Sequence, residues 1–199
     1  MSQDNLKSLG QNLKDQAKVL VGFVAIIWIV EIVDYIVFRG NLDRFGIRPR
    51  NLDGLIGILF APFLHGSFMH VAANTVPFLV LGWLVSLRSL SDFFTVSIVG
   101  AFISGLGTWL VGNPYSVHVG ASGMIYSYLG YLLFRGYFER KPIAIFLAIL
   151  VAVMYGGVIW GVFPQRAGIS WEGHLFGFLG GIVAARLLSK ESPSEDQNL

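Results

Sequence analysis

The stretch VGASGMIYSYLG, residues 119–130, decides how the chain is read. It lies between two apolar segments and reads as the opening turns of a helix. That helix would begin with Ser122, set between Ala121 and Gly123. Small residues at such a place either let a second helix come close or leave a hydroxyl free for chemistry. Serine among small residues in a membrane helix is more often packing, so the choice depends on what the other segments bring to it.

Composition places the chain in a class. It has 199 residues, of which 54% are hydrophobic, 14% aromatic and 13% charged, and its mean hydropathy is +0.65. A soluble domain is about 25% charged, so this chain lacks the charge to cover a water-facing surface. A single-domain integral membrane protein is expected, with the lipid bilayer as its solvent. The net charge is only +2, and no basic run is interleaved with aromatics, so nucleic acid is not an expected partner. The absence of cysteine excludes disulfides, thiolate metal sites and a cysteine nucleophile.

A helix needs about 20 mostly apolar residues to cross a bilayer. Six segments meet this approximately: 19–38, 65–87, 93–112, 119–136, 142–163 and 171–188. The reading is therefore all-α: a six-transmembrane-helix bundle over 19–188, a short cytoplasmic tail at 1–18 and a disordered polar tail at 189–199. Residues 39–64 differ. RGNLDRFGIRPRNLDG is polar and turn-rich, and LIGILFAPFL is too short to span, which suits an interfacial or re-entrant loop. With the N-terminus inside, Lys7, Lys14, Lys18, Arg88, Arg135, Arg140, Lys141, Arg186 and Lys190 fall inside. Arg39, Arg44, Arg48, Arg50 and Arg166 fall outside. The bias satisfies the positive-inside rule.

That orientation makes spans two, four and six run the same way, from outside to inside. His65, His70 and Asn74 are then expected in the opening turns of span two, Ser122 in the first turn of span four and His174 in the first turn of span six. At about 1.5 Å rise per residue, all lie in the outer half of the membrane. His70 and Asn74 are i and i+4 and share a face, as do Ser122 and Tyr126. In WEGHLFGFLGG, His174 shares a face with Gly177 and Gly181, while Gly123, Ser127 and Gly130 offer a small face on span four. If these small faces meet, His174 is brought against Ser122. A serine hydroxyl needs a base, and His174 can take its proton and return it to a leaving amine. No buried aspartate stands as a third member, so a dyad is expected, with Tyr126 orienting the imidazole by ring packing or a hydrogen bond. The Ser122 N–H at the helix start, His70 and Asn74 can donate to an oxyanion.

HGSFMHVAANT (65–75), GASGMIY (120–126) and GHLFGFLGG (173–181) resemble the three signature stretches of rhomboid intramembrane serine proteases, and the likeness spans roughly residues 45–188. The GxSG element alone is weak; with H-x3-N before it and a glycine-flanked histidine after it, the combination is specific. The resemblance implies a six-helix core, Ser122 as nucleophile and His174 as base. It implies an oxyanion site from the Ser122 N–H, His70 and Asn74, with Tyr126 packed on the catalytic ring and Gly120, Gly123 and Gly177 in support. It implies transmembrane helices as substrates, cut near their outer end, with neither cofactor nor metal, in a simple form suited to a bacterial plasma membrane. Many members carry a Trp-Arg pair in the first loop; GIRPRNLDGLIG has no tryptophan, and Arg48 or Arg50 is left as a candidate for the arginine.

Other readings of the same residues compete with this one. Four histidines on one side invite a metal site, yet no HExxH is present; His65 is expected at the boundary of span two and His118 before or capping span four. Glu31 and Asp34 share a face of span one and need partners or protons. They are expected to anchor the first loop through Arg39, Arg48 or Arg50 rather than to form a transporter's ion path, since paired broken helices are lacking. A catalytically silent rhomboid-like protein that binds membrane helices is the main alternative; such relatives generally lack the serine or the histidine.

Overall fold

The computed structural model describes residues 3–164 and 168–190. Arg166 and the polar tail beyond Lys190 lie outside the described residues. The chain forms α1 (Gln3–Val33), a loop with the short α2 (Gly57–Phe60), then α3 (Phe68–Ser86), α4 (Leu90–Val111), α5 (Ser122–Glu139), α6 (Pro142–Tyr155) and α7 (Trp171–Lys190). A π-helical turn extends α1 to Phe38, and a 3-10 segment extends α6 from Gly156 to Val162. Among the described residues the one extended pairing is an antiparallel bridge between Ile47 and His118. Among the described residues four helical stretches are long and apolar enough to cross a membrane: Asn5–Phe38, Phe68–Ser86, Leu90–Val111 and Pro142–Val162.

Local chemistry sets the ends. Ser67 and Ser89 cap α3 and α4 by accepting from the backbone N–H of His70 and Asp92, as short hydroxyl side chains do at helix starts. Pro142 opens α6 at a position where its missing N–H costs nothing. The polar residues from Gln3 to Lys18 are not a separate segment; they are the first turns of α1. His65 does not lie on a helix, because α3 starts only at Phe68.

The helices are layered around α5. It packs on α7, α6, α4 and α3, and α7 packs in turn on α4. Tyr128, Leu129 and Tyr131 of α5 are fully buried. Phe78, Phe93 and Tyr128 form an aromatic cluster with centroids 5.6–6.4 Å apart, and the Tyr128 hydroxyl meets Ser97 Oγ at 2.8 Å. The α5–α7 contact is made by glycines, as their spacing suggested. A methyl group on Gly177 would overlap the Gly123 carbonyl, one on Gly181 the Ser127 carbonyl, and one on Gly130 the Phe178 carbonyl. Gly180 also lies close to α4, where a Cβ would come 3.2 Å from the Gly100 Cα. Without Cβ atoms the backbones reach van der Waals contact, which is the attraction available between helices when lipid removes the hydrophobic drive.

The end of the bundle remote from Ser122 is closed by charge. Arg88 pairs with Asp92 at 3.1 Å and Glu139 at 3.2 Å, Arg135 pairs with Glu139 at 3.0 Å, and the Tyr131 hydroxyl donates to Asp92 at 3.0 Å. Arg88 also donates to the Leu188 carbonyl, and Gln16 of α1 to the Ser86 carbonyl. This network joins α1, the α3–α4 turn, α5 and α7. Arg88 and Arg135, which served in the sequence as side markers, are structural partners here.

The loop 39–64 lies across the opposite end. Arg50 donates to the Gly112 carbonyl, and Trp109 Nε1–H donates to the Asn51 carbonyl, tying the loop to the end of α4. Gly57 stands where a Cβ would strike the Gly46–Ile47 backbone. The expected pairing of Glu31 and Asp34 with arginines is not found: among the described residues neither forms an ion pair. Asp34 Oδ1 instead accepts from the Leu42 N–H at 3.0 Å, and Glu31 Oε2 is buried without a hydrogen-bond partner. The anchoring is by backbone amide because the loop turns back through Arg39 (φ 54) and Gly40 (φ 79), in the left-handed region, and presents its N–H groups to the end of α1.

Two outcomes follow from this packing. Gly177→Val is expected to destabilise the protein by about 3 kcal/mol or more, the upper end of overpacking effects, because backbone faces it. Gly22→Val, at a position with nothing within 4 Å of a built Cβ, serves as the neutral control, and thermal unfolding in detergent compares the two. The second outcome concerns Asp43, whose carboxyl burial raises above the usual carboxylate range, with the Asp34 charge adding to the effect. A raised folded pKa means stability is full below the free value of 3.8 and is lost as pH rises through the folded value. Asp43→Asn is therefore expected to raise the unfolding midpoint at pH 7, with the gain vanishing in acid; an equal gain at every pH would contradict it.

Candidate active site

Ser122 is the first residue of α5, and three backbone contacts fix its approach. His118 exchanges two 2.9 Å hydrogen bonds with Ile47, and the Gly120 N–H donates to the Ala61 carbonyl at 2.8 Å. Gly120 then turns with φ +119, a conformation closed to most side chains. The loop 39–64 thus clamps the strand-like segment that presents the serine. On the other side, Ser170 precedes α7, accepting from the Gly173 N–H through its hydroxyl and from the His174 N–H through its carbonyl. Ser104 of α4 donates to the Gly173 carbonyl at 2.7 Å and lies beside Gly123, where a Cβ would strike it.

These supports bring His174 Nε2 to 3.0 Å from Ser122 Oγ. The other ring nitrogen, Nδ1, lies 3.0 Å from the Gly161 carbonyl oxygen. A carbonyl can only accept, so Nδ1 carries the proton and Nε2 presents its lone pair to the Ser122 hydroxyl. That is the tautomer a base needs. The Tyr126 ring stacks on the imidazole with centroids 4.1 Å apart and 12° between planes, and the Tyr126 hydroxyl donates to the Val158 carbonyl at 2.8 Å. Of the two ways considered for Tyr126 to meet the imidazole, ring packing is the one found. Ser122 and His174 are both partly exposed.

His70 and Asn74 face the same segment from α3. A Cβ built on Gly120 would come 2.8 Å from His70 Nε2 and 3.6 Å from Asn74 Nδ2, so both donor groups hang over the turn before Ser122. Asn74 Nδ2 also lies 3.0 Å from His65 Nε2, which the Ala121 N–H approaches at 3.4 Å. With two donors on it, that nitrogen accepts. His65, which is 2% exposed, therefore holds Asn74 and the serine segment from behind. Among the described residues no group of three or more histidine or carboxylate side chains could hold a metal.

A rhomboid-domain family model matches residues 53–191. The chain belongs to the rhomboid family. An uncharacterized protein of Mycobacterium tuberculosis is 44% identical over 178 residues, covering 85% of this chain and 74% of its own length. Rhomboid-like protease 5 of Toxoplasma gondii is 28% identical over 151 residues, 72% of this chain but 17% of that protein. RHOMBOID-like protein 5 of Arabidopsis thaliana is 32% identical over 161 residues, covering 75% and 48%. Family membership and four apolar helices make this rhomboid an all-helical integral membrane protein; the family points to intramembrane proteolysis.

The Gly161 carbonyl is not legible in the side-chain pattern, because every residue carries such a group. The available signal was YGGVIWG (155–161), a glycine-rich end to the fifth apolar run. A Cβ on Gly161 would strike the Tyr126 hydroxyl, so the glycine lets the carbonyl, the tyrosine and the imidazole share one space. Nitrogen-15 NMR of histidine-labelled protein is expected to show His174 as the Nδ1–H tautomer at neutral pH. An Nε2–H tautomer would contradict this hydrogen-bond assignment.

Proposed function

We propose that this rhomboid is an intramembrane serine endopeptidase that cleaves transmembrane helices near their outer end through a Ser122–His174 dyad. The observation that carries the reading is the 3.0 Å approach of His174 Nε2 to Ser122 Oγ, with Nδ1 held by the Gly161 carbonyl. Ser122 Oγ attacks the scissile carbonyl carbon while His174 Nε2 takes its proton. The tetrahedral oxyanion is held by the Ser122 N–H, His70 and Asn74. The imidazolium, stabilised by the Gly161 carbonyl and kept in plane by Tyr126, then protonates the leaving amine. A water, deprotonated by His174, hydrolyses the acyl-enzyme and restores the serine. Gly120, Gly123 and Gly177 support the site by permitting close approach.

The same reading assigns α5 and α7 as the fourth and sixth spans, which completes the set of six. Their polar and small residues suit helices shielded from lipid by α3, α4 and α6, which is why apolar length alone does not single them out. We assign residues 19–188 to the protease domain, with the N-terminus cytoplasmic and the site open to the outer side of a bacterial plasma membrane. The loop 39–64 then lies at the outer interface. Partial exposure of the dyad supports a polar cavity that supplies water. A transmembrane substrate must locally unwind to offer its carbonyl, so residues with weak helix propensity at the cut favour cleavage. Retention of both Ser122 and His174 within hydrogen-bond distance weighs against the silent, helix-binding alternative.

Purified protein in detergent is expected to react with a fluorophosphonate probe and to cleave a model transmembrane substrate. Ser122→Ala and His174→Ala are expected to abolish both. Asn74→Ala is expected to lower kcat about 10²–10³-fold, the usual loss for one oxyanion donor. Wild-type protein that neither labels nor cleaves, in detergent or in vesicles, sinks the proposal.

A further inference from the structure

His118 lies outside the dyad and outside the oxyanion donors, yet both its ring nitrogens are engaged. Nε2 is 2.7 Å from Ser116 Oγ and Nδ1 is 2.7 Å from Ser170 Oγ. The Ser116 hydroxyl already gives its proton to the Asn113 carbonyl at 2.7 Å, so Ser116 Oγ accepts from Nε2–H. Nδ1 is then an acceptor, and the Ser170 hydroxyl donates to it. Ser170 Oγ in turn accepts from the Gly173 N–H, and the Ser170 carbonyl from the His174 N–H. The backbone of His118 is paired with Ile47 on both sides. Every donor and acceptor in this chain of bonds is matched to a partner of the correct kind.

The consequence is geometric. His118 stands four residues before Ser122, and Ser170 four residues before His174. The imidazole is therefore a direct bridge between the segment that presents the nucleophile and the turn that presents the base. Below the site, α5 and α7 are locked by glycine contacts; at the level of the site itself, this bridge closes the gap. Burial pushes the His118 pKa below the usual imidazole range, opposed in part by Glu172, in keeping with the neutral ring that the bonding pattern requires.

We infer that His118 is a positioning residue for the proposed hydrolase: its Nδ1–Ser170 hydrogen bond sets the register of α7 against α5 and so the Ser122–His174 separation. This rests on the proposed function for its kinetic consequences, though not for its structural ones. A misplacement of about 1 Å can cost about 10²-fold in rate, so the effect falls on kcat while substrate binding is left nearly intact.

Two isosteric halves of the ring separate the bonds. His118→Asn keeps a polar atom near the Nδ1 position and can accept from Ser170; His118→Gln reaches the Nε2 position and can meet only Ser116. His118→Ala is expected to lower kcat about 10–100-fold with KM changed less than about twofold, His118→Asn to recover most of that loss, and His118→Gln to resemble Ala. Unfolding midpoints checked alongside separate this from collapse of the fold, and the Asn–Gln comparison stands even if the Ala variant does not fold. The nitrogen-15 shift of His174 Nε2 gives a readout that needs no activity: it is expected to move in the Gln variant, as the Ser122 hydrogen bond is lost, and to return in the Asn variant. Equal behaviour of the Asn and Gln variants, or wild-type kcat and an unmoved His174 signal in the Ala variant, overturns the inference. Wild-type protein without activity would instead remove the proposed function, and the His174 signal would still decide the role of His118.

Discussion

Contact between the α5 and α7 backbones is the constraint on which the remaining structure depends. Three glycines on two helices, Gly130, Gly177 and Gly181, each face a carbonyl where a Cβ would collide. Such contact fixes both the separation of the helices and their register. Ser122 and His174 occupy the first turns of these same two helices, so the separation of their side chains is inherited from the glycine seam. In a bilayer this is a reasonable way to build precision. Apolar side chains gain little by leaving lipid for protein, whereas close backbone packing gains dispersion and excludes alternatives.

The two ends of the bundle are finished differently. At the end remote from Ser122, Arg88, Arg135, Asp92, Glu139 and Tyr131 form a network in which the charges are mutually paired. Breaking a buried pair costs several kcal/mol, so this end is fastened against shear of α5 over α4. The groups bonded directly to Ser122, His174 and the segments that present them are neutral: serine hydroxyls, imidazoles and backbone carbonyls. Neutral partners leave His174 its lone pair and avoid placing a fixed charge in direct contact with Ser122 and His174. The Gly161 carbonyl does for the imidazole what a carboxylate does in a triad, fixing the tautomer without a buried anion. That substitution matters in a low-dielectric setting, where an extra ion would need its own compensation.

The loop 39–64 is more than a connection. It touches the serine segment at Ile47 and Ala61, and the end of α4 at Asn51 and Arg50. Its attachment to α1 runs through an amide donated to Asp34, with the Glu31 and Asp43 carboxyls each retaining a buried oxygen that has no hydrogen-bond partner. Among the described residues the carboxylates at the end of α1 form no ion pair, in contrast to Asp92 and Glu139 at the far end.

Much was legible in the sequence because it is written in local periodicity. Apolar runs located the helices, and the i, i+4 spacing put His70 with Asn74 and Ser122 with Tyr126. The small-residue pattern on both helices announced the seam that joins Ser122 to His174. What it could not contain were partners chosen by the backbone. The Gly161 carbonyl, the Leu42 amide on Asp34 and the pairing of Ile47 with His118 involve groups that every residue carries, so no side-chain pattern marks them. The loop position of His65 and, among the described residues, the lack of an ion pair at Glu31 were likewise decided by how segments meet in the fold. The sequence by itself determined the helices, their small faces and the chemical groups available. Tertiary structure alone decided which nitrogen of each histidine faces which oxygen, because a tautomer is selected by the neighbours that packing supplies.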